Sequence, residues 1–82
     1  MTHFINKPVI ITALGFRKDN LAYPRRMEYE GTSYRFIDAG LSCIVRRGGL
    51  VAQIMTMTDG HKQFKLRSDN RGGSWTLLSM SA

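Results

Sequence analysis

The chain has 82 residues, 43% of them hydrophobic and 22% charged, with a formal net charge of +6. That length allows one domain, the composition suits a folded globular protein, and the single cysteine excludes a disulfide scaffold. No run approaches the roughly 18–20 apolar residues of a membrane span, and a lone cysteine fits a reducing compartment, so a soluble, cytoplasmic protein is expected.

In chain order, Met1–Lys7 reads as a loose leader closed by Pro8, with residues 8–82 as a single β domain. Val9–Phe16 is rich in β-branched residues and predicts a first strand. Arg17–Pro24 is the longest polar connection, and Pro24 stops any helix there. No segment sustains a 3.6-residue period, so little or no helix is expected. Arg26–Glu30 alternates polar and apolar and turns at Gly31-Thr32. Ser33–Ile37 returns with Tyr34 and Phe36 on one face and Arg35 on the other.

After a turn at Asp38-Ala39-Gly40, Leu41–Arg47 and Leu50–Met57 form a hairpin about Gly48-Gly49, where positive φ costs little. Asp59-Gly60 predicts a two-residue type I′ turn into Lys62–Arg67. That register sets Thr58 opposite His61, Met55 opposite Phe64 and Gln53 opposite Leu66. Trp75–Met80 is the last strand. Ser68-Asp69-Asn70-Arg71-Gly72-Gly73-Ser74-Trp75 resembles the Asp-box, a β-hairpin loop of sialidase propellers and several unrelated folds, with Asn70 in the acidic position. The resemblance covers these eight residues. It implies a structural turn with the aromatic packed beneath it, and no glycosidase chemistry.

Short strands punctuated by glycine turns give an all-β fold: a single antiparallel meander of about six strands, closing into a small barrel or rolled sheet. Phe36, Leu41, Val45, Ile54, Phe64, Leu66, Trp75 and Leu77 are the expected core, and Cys43 a small buried hydrophobe. The Leu41–Met57 hairpin reads as central and apolar on both sides, needing a second layer or a second subunit to cover it.

His3, Cys43 and His61 are isolated, with no metal-ligand spacing and no nucleophile–base pair. Glu28 and Glu30 share a strand face near Arg25, Arg26 and Arg35, where surface cross-strand pairing is their simplest role. The chain is therefore not expected to be an enzyme, and no cofactor, metal or small-molecule substrate is implied. Its charge is the remaining signal. Eight arginines against four lysines favour phosphate, which the guanidinium fork matches. The first functional reading is a nucleic-acid-binding accessory protein without sequence preference. Arg25, Arg26, Arg35, Arg46, Lys65 and Arg67 would grip the backbone, and Tyr34 would offer a stacking surface. It requires these residues to form one stripe. The alternative is a non-catalytic interaction module, a homodimer or a small partner or inhibitor of an acidic protein, using the flexible Met55 and Met57 hairpin.

Overall fold

A computed structural model describes residues 2–18, 22–69 and 74–81. The chain is all-β and antiparallel. Its strands are β1 (Thr2–Pro8), β2 (Ile10–Phe16), β3 (Ala22–Tyr29), β4 (Thr32–Arg35), β5 (Leu41–Arg47), β6 (Leu50–Thr58), β7 (Gln63–Asp69) and β8 (Ser74–Ser81). They form a five-stranded sheet, ordered β1-β8-β7-β6-β5, and a three-stranded sheet, ordered β2-β3-β4. Among the described residues no helix is long and apolar enough to cross a membrane.

Period-two alternation builds the core. The large sheet aligns its inward side chains in rows: Met57, Phe64 and Met80; then Met55, Leu66 and Leu77; then Gln53, Ser68 and Trp75. The first two rows are apolar, and apolar surface on that scale must be covered. The small sheet covers it with Met27 of β3, Tyr34 of β4 and Phe36 just beyond. The rings of Tyr34 and Phe36 flank Phe64, with centroids 5.0 and 5.2 Å away and planes tilted by 59° and 66°. These are the offset geometries that ring quadrupoles favour. The third row is polar: Gln53 Nε2, Ser68 Oγ and Trp75 Nε1 are buried with no hydrogen-bond partner. Each such group costs about 1–3 kcal/mol, which makes this end the least satisfied part of the core.

Two backbone bonds join the layers. Val9 donates to the Trp75 carbonyl (3.1 Å) where the chain passes from β1 to β2, and Ile37 donates to the Thr58 carbonyl (3.0 Å) beyond β4. The result is a two-layer sandwich of eight strands, not a single meander of about six closing into a barrel.

Several expectations change for identifiable reasons. Residues 2–7, read as a leader, belong to β1, which pairs with β8 from Thr2↔Ser81 to Pro8↔Thr76. Its only apolar side chains before the final proline are Phe4, exposed, and Ile5, so the strand exists through tertiary pairing and leaves little local signature. β3 begins before Pro24, which is buried beside a register shift, the position where a sheet tolerates proline. The β5–β6 hairpin turns at Gly48-Gly49 as expected, both with positive φ (54° and 86°). It lies at the sheet edge, however, not at the centre. Leu41, Cys43 and Val45 also sit opposite Thr56, Ile54 and Ala52 on the outer face of the large sheet, away from the core, so Leu41 is 77% exposed, Val45 43% exposed and Cys43 exposed. Ile54 is only half-buried. Of the eight residues of the Asp-box resemblance, Asn70, Arg71, Gly72 and Gly73 lie outside the described residues, while Ser68 pairs with Trp75 and Asp69 with Ser74.

The loop after β6 also differs. Thr58 pairs with Gln63, Met57 with Phe64 and Met55 with Leu66, so the loop is Asp59–Lys62 and not a two-residue turn. The slip is two residues, which preserves the face of every side chain. Its cause is Asp59, whose Oδ1 accepts from the backbone N–H groups of His61 (2.8 Å) and Lys62 (2.7 Å). Partial burial opposes ionisation of Asp59, but those two N–H groups and the neighbouring His61 outweigh it and hold its pKa below the ordinary value. A carboxylate with a lowered folded pKa stabilises above its unfolded pKa, and that contribution is lost as pH falls. Asp59→Ala is expected to lower stability near pH 7 by about 0.5–1 kcal/mol, allowing for solvent screening. The gap between variant and parent should close in denaturant titrations carried below about pH 4.

Gly40 is fixed twice over. Its φ is +65°, and an added Cβ would run into the Thr56 carbonyl and the Met57 sulfur. Its N–H also donates to Asp38 Oδ1 (2.8 Å) in the turn that leads into β5. Gly40→Ala should cost at least about 1–2 kcal/mol, from the left-handed conformation alone, and lower the thermal midpoint accordingly.

Candidate nucleic-acid interface

The outer face of the small sheet gathers three of the seven expected residues. Along β3, Met27 and Tyr29 turn toward the core, which points Arg26 and Glu28 outward. Strict alternation would then turn Arg25 inward. It does not, because Arg26 partners Ala13 while Pro24 partners Leu14, leaving Arg25 as the extra residue of a bulge. Bulges re-aim side chains in this way, and Arg25 is exposed beside Arg26. Its carbonyl meanwhile accepts from the Phe36 N–H (2.9 Å), extending the β3–β4 ladder.

Arg26 lies directly opposite Arg35. Arg25, Arg26 and Arg35, with Ala13 and Phe36, line a concavity of about 280 Å³. None of these three arginines has an ion-pair partner among the described residues. Glu28 is on the same outer face but pairs with Ser33, about 7 Å along the strand from Arg26. Like charges directly opposite on a ladder are destabilising. Chemically, the arrangement is a donor-rich cationic recess suited to phosphate or carboxylate oxygens.

The other four residues lie elsewhere. Lys65 and Arg67 project from the outer face of the large sheet, on the far side of the core, next to Thr56 and Ile54 respectively. Arg67 is partly engaged, its Nε 3.4 Å from Asp69 Oδ2. Arg46 is exposed near the end of β5, opposite Val51 and on the side of Ile44. Tyr34 is turned inward with its ring against Phe64, so it offers no open stacking face. The expected set thus divides among four places instead of forming one stripe: two outer faces that point in opposite directions, the Ile44 side of β5, and the core, which takes Tyr34. The sequence did not single out Ala13 and Phe36 as neighbours that help to line the recess. Only the unusual Pro24-Arg25-Arg26 run hinted at a bulge there.

Arg17 has a structural role. It donates from Nη1 to Ser42 Oγ (2.8 Å), tying the end of β2 to β5. Among the described residues no three His, Cys, Asp or Glu side chains come together as a metal site. No protein-family model, curated protein or solved structure matches this chain.

The Arg26–Arg35 pair makes its own prediction. Arg35→Glu converts a repulsive cross-strand pair into an attractive one and should raise stability by about 0.2–1 kcal/mol at low salt. Urea titrations at low and high salt should show that gain shrinking as charge is screened.

Proposed function

We propose that the chain binds the phosphate backbone of nucleic acid, without sequence preference, through the outer face of its three-stranded sheet. The observation that carries the reading is the recess of Arg25, Arg26 and Arg35. A bulge adds a third guanidinium to a like-charged cross-strand pair, with no carboxylate partner among the described residues. An anion bound between Arg26 and Arg35 removes their repulsion. The net charge of +6 supplies long-range attraction to a polyanion. With Tyr34 turned inward, the contacts are to phosphate and not to bases, so preference among sequences should be slight.

The test is binding of labelled single- and double-stranded DNA and RNA across roughly 50–200 mM salt. Three phosphate contacts predict a log–log slope of about −2 to −3. Arg26→Glu and Arg35→Glu should each abolish measurable binding, whereas Lys65→Glu should reduce it only by weakening the overall field. Negligible binding at the lowest salt would contradict the proposal, as would loss through Lys65→Glu with Arg26→Glu unaffected.

A further inference from the structure

An edge strand presents a row of unpaired N–H and C=O groups, so proteins usually protect their edges against pairing. This fold has four edges, β1 and β5 in the large sheet and β2 and β4 in the small one. Three of them carry such protection. β1 holds Asn6 at a φ of 54°, shifts register between Phe4 and Lys7, and ends on Lys7-Pro8. The pairing of β2 with β3 is interrupted on both sides of Ala13. β4 is four residues long.

β5 has none of these features. Its seven residues keep an unbroken register against β6, contain no proline, and carry no charge before Arg46. Among the described residues no backbone hydrogen bond outside its ladder with β6 reaches it. Leu41, Cys43 and Val45 stand exposed on its outer face, and Ile44 is 44% exposed on the other. Inward from the edge, across β5, β6 and β7, lies a concavity of about 840 Å³, lined by Val45, Leu50, Ala52, Arg47, Arg67 and Asp69 among others.

We propose that β5 is a docking edge that takes up an extended strand from an acidic partner protein. Backbone pairing along Leu41–Arg47 supplies affinity, as in strand addition generally. Alternate apolar side chains of the partner settle against Leu41, Cys43 and Val45, and its carboxylates, on the other face of the added strand, meet Arg46 beyond Ile44. Charge selects this occupant over a second copy of the chain. No acidic residue occurs from Leu41 to Thr58, and the one carboxylate lining the concavity, Asp69, is paired with Arg67. A second copy would bring four arginines into one interface between two bodies that each carry +6. An acidic strand neutralises the same groups. The surface is separate from the Arg25, Arg26 and Arg35 recess, so the two proposals stand or fall independently.

The probe is a blocked octapeptide of alternating valine and glutamate, compared with its valine–lysine counterpart. Binding is read by fluorescence anisotropy and by backbone amide shifts. The glutamate peptide should bind at least about tenfold more tightly than the lysine peptide, with shifts concentrated on residues 41–47. Arg46→Glu and Val45→Lys should each weaken binding by about tenfold or more with the thermal midpoint little changed, since both side chains are exposed. Arg26→Glu should leave peptide binding intact. Equal affinity for the two peptides, or shifts centred on β1, would overturn the proposal. So would protection of β5 amides that rises with protein concentration in the absence of peptide, which would assign the edge to a second copy.

Discussion

The structure depends on a single requirement: the inner face of β6, β7 and β8 must be covered. Met55, Met57, Phe64, Leu66 and Leu77 are each at most 1% exposed on that face, and Phe64 lies under the rings of Tyr34 and Phe36. A chain of this size has little apolar surface to spare, so nearly all of its burial is concentrated at this one contact between sheets. Once the small sheet is committed to that role, period-two alternation drives every second residue of both sheets outward. The cations leave in opposite directions, Lys65 and Arg67 from one outer face and Arg26 and Arg35 from the other. A single encircling basic stripe is incompatible with this packing. The sharper feature that results is local, a bulge that sets Arg25 beside a pair of opposed arginines.

The same geometry explains the unprotected edge. Five strands are wider than three, and the cover supplied by Met27, Tyr34 and Phe36 centres on Phe64. Arg17, at the end of β2, bonds Ser42 on the inner side of β5, and Ile44, two residues on along that side, is 44% exposed. Leu41, Cys43 and Val45 are exposed because they share the outer face with Thr56, Ile54 and Ala52 of β6, away from the covering layer. Exposed large hydrophobics gathered on one regular strand are informative in a way that scattered ones are not. A recess for anions and an edge for an extended strand are compatible on so small a body because they occupy different faces.

Much of this was legible in the sequence, and the failures share one origin. Period-two alternation in Lys62–Arg67 correctly sent Phe64 and Leu66 inward, and Gly48-Gly49 correctly marked a tight hairpin. Phe36, Trp75 and Leu77 were core as read. Local chemistry carries those signals. Leu41 and Val45 were misplaced because which of a strand's two apolar faces turns toward the core is set by its partners in the sheet. Two apolar faces look the same from the sequence. β1 was missed because its pairing with β8 joins opposite ends of the chain, with only Ile5 packed toward the core. The Asp59 loop was misread because the dipeptide alone suggests positive φ at both residues. In the fold only Gly60 adopts it, while the Asp59 carboxylate binds two N–H groups instead. Within the candidate site, the arginines were visible as charges, but their division between faces required the sheet assignment.

The most direct test of the account is a nuclear Overhauser spectrum of the side-chain aromatics in solution. The covering of the large sheet by the small one predicts strong cross-peaks from the Phe64 ring to the rings of both Tyr34 and Phe36. It also predicts none from Phe64 to Arg67, which lies on the opposite side of the sheet. Cross-peaks to only one ring, or a Tyr34 ring with the shifts of a solvent-exposed side chain, would contradict it. The assignment of Arg26 and Arg35 to one outer face and Lys65 and Arg67 to the other would then have no basis.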